Sequence, residues 1–153
     1  MKIISGGQTG VDQAALDAAI EAGRDYGGAI PLGRRTEQGP LSVKYASMTE
    51  LTTAEYAART EKNLCDADAT LIVYRGNLSG GSKFTAEQCK KYKKELLLIN
   101  LENRTTSVEK HIQTWLQVLA PGILNVAGPR ESSSPGIYKE VKALLQNVFN
   151  SLK

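Results

Sequence analysis

Histidine occurs once in this chain of 153 residues, at His111, and cysteine twice, at Cys65 and Cys89. The cysteines lie far apart with no C-x-x-C spacing, and one imidazole cannot complete a His/Cys set, so zinc is not expected. A serine triad lacks its base for the same reason, because His111 sits beside Lys110 in a helical stretch. Cys65 and Cys89 read as small core residues rather than nucleophiles. Aromatic residues are scarce at 6%, and 19 Lys+Arg against 16 Asp+Glu leave a net charge of only +3. That is too little charge, with no aromatics interleaved, for a groove that tracks nucleic acid. No run approaches the about 18 apolar residues of a membrane span. Met1-Lys2-Ile3-Ile4 passes straight into glycine-rich sequence without the apolar stretch of a signal peptide, so the expected location is cytoplasmic.

What remains is average soluble usage, 41% hydrophobic and 23% charged, in a length that suits one domain over residues 1–153. Five short apolar runs recur at even intervals: Lys2 to Ser5, Tyr26 to Ile30, Ala69 to Tyr74, Leu96 to Leu101 and Ile123 to Ala127. They are continuous rather than alternating, the mark of strands buried on both faces of a parallel sheet. Helical patterns lie between them, over Val11 to Ala22, Thr53 to Cys65 and Lys83 to Lys94. Two more carry clear stripes, Val108-Ile112-Trp115-Leu116-Leu119 and Ile137-Val141-Leu144-Leu145-Val148-Phe149-Leu152. Ser134-Pro135 is the expected start of the last helix, and Thr106 with Glu109 the expected capping box of the one before. The alternation predicts a single Rossmann-like, doubly wound α/β domain with a five-stranded parallel sheet and helices on both faces. Lys90-Lys91-Tyr92-Lys93-Lys94 reads as a solvated helix end. Residues 31–52 show no periodic element, and so long a connection is expected to be a lid over a site.

Ligands of such sheets bind beyond the carboxyl ends of the strands, where strand order reverses. Three glycine-rich loops leave strands there and open helices: Ser5-Gly6-Gly7-Gln8-Thr9-Gly10-Val11-Asp12, Arg75-Gly76-Asn77-Leu78-Ser79-Gly80-Gly81-Ser82, and Gly128-Pro129-Arg130-Glu131-Ser132-Ser133-Ser134-Pro135-Gly136. Glycine admits close backbone approach, and helix N-termini present free N–H groups to an anion. A 2-1-3-4-5 strand order would set the first two loops on one crevice. Arg34, Arg35, Arg75 and Arg130 also follow strands, and guanidinium groups suit phosphate. The expected ligand is anionic, phosphate-bearing and nucleotide-like. Its candidate contacts are Gly6, Gly7, Gln8, Thr9, Gly10, Arg34, Arg35, Arg75, Gly80, Gly81, Ser82, Thr85, Gly128, Arg130 and Ser132. Familiar fingerprints fail: Ser82 separates Gly81 from Lys83 where a P-loop needs G-K-[ST], and Gly6, Gly7 and Gly10 do not give G-x-G-x-x-G. Candidate acid/base groups are Asp12 and Glu87, each early in a helix that follows a glycine-rich loop.

These loops, together with Gly27-Gly28, Pro31-Leu32-Gly33-Arg34, Glu37, Gly39-Pro40, Arg59-Thr60-Glu61-Lys62-Asn63, Asp66-Ala67-Asp68-Ala69-Thr70-Leu71-Ile72 and Leu124-Asn125-Val126-Ala127, resemble the molybdenum carrier family over essentially the whole chain. That family is related to the lysine-decarboxylase-like LOG, or SLOG, nucleotide-binding superfamily. The resemblance implies a Rossmann-like fold that binds a phosphate-bearing ligand, the molybdenum cofactor (molybdopterin) or a nucleotide. A homodimer is a habit of related folds. Superfamily members that hydrolyse nucleoside monophosphates at the N-glycosidic bond use P-G-G-x-G-T-x-x-E. Here Ser79-Gly80-Gly81-Ser82-Lys83-Phe84-Thr85-Ala86-Glu87 keeps the glycine pair and Glu87 but has Ser79, Lys83 and Phe84 in place of proline, glycine and threonine. A binding or carrier protein is therefore the leading expectation, and a phosphoribohydrolase-like enzyme the alternative.

Overall fold

A computed structural model describes residues 1–152. The five apolar runs are strands β1 (Lys2–Ile4), β2 (Tyr26–Ile30), β6 (Ala69–Tyr74), β7 (Glu95–Asn100) and β8 (Ile123–Ala127). The five helical patterns are α1 (Val11–Glu21), α2 (Tyr56–Asp66), α3 (Gly80–Lys91), α4 (Val108–Leu119) and α5 (Ile137–Ser151). The main sheet has six strands rather than five, in the order β5-β2-β1-β8-β6-β7 and parallel throughout. The extra strand, β5 (Met48–Glu50), pairs with β2 at the sheet edge. It escapes sequence reading because Met-Thr-Glu at an edge needs no apolar run. A small hairpin, β3 (Arg35–Thr36) with β4 (Gly39–Pro40), precedes it.

The strand order also differs from 2-1-3-4-5. β8 lies between β1 and β6 and pairs with both, because α4 carries the chain back from the β7 edge to the middle of the sheet. The loop after β8, not the loop after β6, is thus the immediate neighbour of the loop after β1. Helices α1, α4 and α5 pack together on one face, and α2 packs with α3. Right-handed crossovers put that second pair on the opposite face.

The main core lies under α1, α4 and α5. Ala14, Ala15, Ala18 and Ala19 of α1 are fully buried and bring that helix close to α5, whose stripe from Ile137 to Phe149 is at most 1% exposed. The starts of two helices depart from expectation. Glu131, not Ser134, caps α5: its carboxylate accepts from the Gly136 and Tyr138 N–H groups at 2.8 and 3.0 Å, and Gly136 takes φ +89° at the N-cap. Helix α4 begins after Ser107 with no side-chain cap, so the Thr106–Glu109 box does not form.

Residues 31–52 are anchored to the body of the domain. Leu41 and Tyr45 join Leu16 and Ile30 in a second buried cluster. Arg34, at φ +55°, donates to the carbonyls of Leu41, Ser42 and Tyr45 at 3.1, 2.9 and 3.1 Å. Tyr45 and Tyr138 hydroxyls both donate to the nearly buried Asp17 carboxylate, tying this segment to α1 and α5.

Candidate functional site

The carboxyl ends of β1 and β8 face the first turns of α2 and α3 across a crevice of about 610 Å³. Its walls come from four places: Gly6, Gln8 and Asp12 after β1; Tyr56, Ala57, Arg59, Thr60 and Asn63 of α2; Ser79 to Ser82, Phe84 and Thr85 at the start of α3; and Asn125 with Ala127 to Arg130, Ser132 and Ser133 around the end of β8.

The three glycine-rich loops differ in how many amides they leave free. After β1 three of the loop's donors are taken: Gln8 N–H donates to Asp12 Oδ2 at 3.2 Å, Thr9 N–H to Gln8 Oε1 at 3.1 Å, and Gly7 N–H to Ser5 Oγ at 3.4 Å. After β8 the Glu131 carboxylate closes the helix start, as above. At α3 no side chain caps the helix, and the N–H groups of Gly80, Gly81 and Ser82 have no acceptor among the described residues. A Cβ at Gly80 or Gly81 would meet nothing within 4 Å. Unpaired first-turn donors in open space, at the positive end of a helix dipole, form an anion cradle.

The same crevice is lined by a buried ion pair. Arg59 is only 9% exposed; its Nη1 donates to the Gly6 carbonyl at 2.6 Å and lies 4.0 Å from Asp12 Oδ2. Burial pushes the Asp12 carboxyl up to about 6, against the pull of Arg59 and of the Gln8 and Gly6 amides. Burial likewise disfavours the Arg59 cation, which Asp12 and the Tyr56 side chain support. Gln8 is 5% exposed; its Oε1 accepts from Thr9 and Glu37 N–H, and its Nε2 has no partner among the described residues. A buried donor without an acceptor costs roughly 1–3 kcal/mol, which an acceptor on a ligand would offset.

Glu37 ties the rim together. Its carboxylate accepts from Thr9 Oγ1 at 2.6 Å and from both the hydroxyl and the N–H of Ser132, with Arg130 Nε at 3.8 Å. Hydrogen bonds from Ser132 and Thr9, then the Arg130 charge, hold this carboxyl below its ordinary range. Asn63 works below the rim: its amide donates to Ala29 O at 3.0 Å and accepts from Ala29 N–H at 2.7 Å, replacing the strand partner that β1 no longer supplies.

Of the residues singled out from sequence, Gly6, Gln8, Asp12, Gly80, Gly81, Ser82, Thr85, Gly128, Arg130 and Ser132 line the crevice. Gly7, Thr9 and Gly10 lie behind its wall. A Cβ on Gly7 would press on Ile30 and Leu41 at 3.0 Å, and one on Gly10 would meet Pro129 O at 2.4 Å. Arg34 staples its own loop, and Arg75 pairs with Glu140 beside Arg104. Arg35 stacks over Tyr56 at 4.7 Å from the ring centroid. Glu87 is exposed on α3 and is not a crevice residue. Sequence reading gave no site role to Tyr56, Arg59, Asn63 and Asn125; the run Arg59-Thr60-Glu61-Lys62-Asn63 was a usable signal for two of them.

Among the described residues no group of three or more His, Cys, Asp or Glu side chains is placed to hold a metal ion, and no helix is long and apolar enough to cross a membrane. No curated protein matches the chain. The crystal structure of a "Putative molybdenum carrier protein" from Syntrophus aciditrophicus SB is 43% identical, covering 97% of this chain and 93% of that one with a TM-score of 0.91. The model of the circularly permutated YpsA SLOG family matches residues 3–149, and the chain, with its parallel sheet and glycine-loop crevice, belongs to that family.

Proposed function

We propose that the crevice is a binding site for a phosphate-bearing, nucleotide-like small molecule, held rather than turned over. The observation that carries this reading is the set of unpaired Gly80, Gly81 and Ser82 amides, open to a crevice that Arg59 and Arg130 also line. Phosphate would sit on those amides. The unpartnered Nε2 of Gln8 supplies a donor for an acceptor elsewhere on the ligand.

The molybdenum cofactor is the favoured cargo, on the strength of the name carried by the 43% identical structure. The α3 amides suit its phosphate, and the described residues offer no cluster of metal ligands. The protein's grip on such a cargo is therefore assigned to the phosphate and the organic frame.

Calorimetric titration with nucleoside monophosphates, with product analysis of the same samples, tests the reading. Heat of binding without release of free base is expected. Base released faster by the wild type than by Asp12→Asn would instead identify a hydrolase.

A further inference from the structure

We infer that the α2 end of the crevice is a second anion subsite built on Tyr56, and that the ligand presents a second anionic group apart from its phosphate. This rests on the reading just given for the α3 amides and adds the chemistry of the ligand's other end.

Three guanidinium groups from three parts of the chain surround one ring. Arg35 of the β3–β4 hairpin, Arg59 of α2 and Arg130 of the loop after β8 lie 4.7, 5.2 and 5.9 Å from the Tyr56 ring centroid. The ring's negative face attracts each cation, but the cations repel one another. Nearby carboxylates compensate only in part. Asp12 is 4.0 Å from Arg59, and Glu37 is 3.8 Å from Arg130 while also engaged by Thr9 and Ser132. Among the described residues Arg35 has no carboxylate in ion-pair range, and its one hydrogen bond is a long 3.5 Å contact to the Ala54 carbonyl. An arrangement of three cations with this little counter-charge is suited to receive an anion.

The backbone points the same way. Helix α2 has Glu55 at its N-cap, but that side chain makes no capping bond, no acidic residue follows in the first turn, and the N–H groups of Tyr56 and Ala57 have no acceptor among the described residues. Its positive end therefore adds to the three guanidinium charges. Tyr56, Ala57, Arg59 and Arg130 line the same crevice as Gly80 to Ser82, so the two cradles belong to one cavity on different helices. A guanidinium stacked on an aromatic ring keeps its N–H edge available for paired bonds to phosphate oxygens. A ligand with a single anionic group fills only one of the two cradles.

Titration of isotope-labelled protein with inorganic phosphate, followed by NMR, separates the subsites. We expect saturable shifts of the Gly80–Ser82 amides and, with a different midpoint, of the Arg35 and Arg130 Nε–H groups. Arg35→Gln should weaken the arginine response about tenfold and leave the Gly80–Ser82 midpoint within about twofold. Tyr56→Leu, which removes no charge, should do the same. In parallel, adenosine 3′,5′-bisphosphate should bind about tenfold tighter than adenosine 5′-monophosphate, an advantage that Arg35→Gln removes. Arginine signals that never saturate, or one midpoint shared by both sets and equally sensitive to Arg35→Gln, would overturn the second subsite. Equal affinity for the two adenosine probes would overturn the requirement for a second anionic group. Silence of the Gly80–Ser82 amides alone would instead sink the α3 reading and leave the Tyr56 subsite standing.

Discussion

Arg59 lies directly over Gly6. Its Nη1 donates to the Gly6 carbonyl at 2.6 Å, and a Cβ on Gly6 would sit 2.5 Å from both Cδ and Nη1 of that arginine. The smallest residue thus fixes where the buried cation stands, and the clash would fall on the middle of the side chain as well as its tip. Gly6→Ala is expected to displace Arg59, to cost about 1–3 kcal/mol of stability by overpacking, and to weaken phosphate binding about tenfold. Urea unfolding and phosphate titration of the same preparation check both halves.

Gly81→Asp separates binding from folding. Position 81 has open space around it, so the side chain fits, but its carboxylate would occupy the anion's place on the α3 amides. The predicted outcome is loss of phosphate binding with a melting temperature changed by no more than about 2 °C. Gly7 is a poorer probe, because at φ +74° its Cβ would press on Ile30 and Leu41.

Asp12 makes stability fall as pH rises. Its carboxyl holds a proton up to about 6 in the folded protein against 3.8 for the unfolded reference. The contribution is complete below about pH 4, declines through the window between the two values, and is gone above the folded one. The span corresponds to roughly 3 kcal/mol. Denaturant unfolding from pH 4 to pH 8 should show this decline in the wild type and a flatter profile in Asp12→Asn. Parallel profiles would assign the pH dependence to other groups.

Asn63 supports the sheet where β1 ends. Asn63→Ala leaves the Ala29 N–H and carbonyl without their partners at 2.7 and 3.0 Å, in a residue 5% exposed. The expected loss is about 2–4 kcal/mol, measurable by equilibrium unfolding, with faster hydrogen exchange at Ala29 as the local signature.

The elements that position the site were legible wherever burial writes a pattern. β6 reads Ala-Thr-Leu-Ile-Val-Tyr because it is covered on both faces, and the α5 stripe reads as a helix because one side is wholly buried. β5 was not legible, since a three-residue edge strand with one half-buried side chain needs no particular composition. Strand order was not legible either: nothing in Ile-Leu-Asn-Val-Ala says that it inserts between β1 and β6. Glycine-rich loops marked the crevice, but which loop keeps free amides depends on Asp12, Gln8 and Glu131 folding back on their own loops. Arginines were visible as a type. That Arg34 and Arg75 serve the scaffold while Arg59, Arg130 and Arg35 gather on Tyr56 is a tertiary fact.

Mass spectrometry of the small molecules released on denaturing gently purified wild type and Gly81→Asp, prepared side by side, asks whether the α3 amides hold a phosphate. A phosphorylated small molecule is expected from the wild type and missing from the variant. A released molecule without phosphate, or the same molecule in equal amount from both proteins, would contradict that reading.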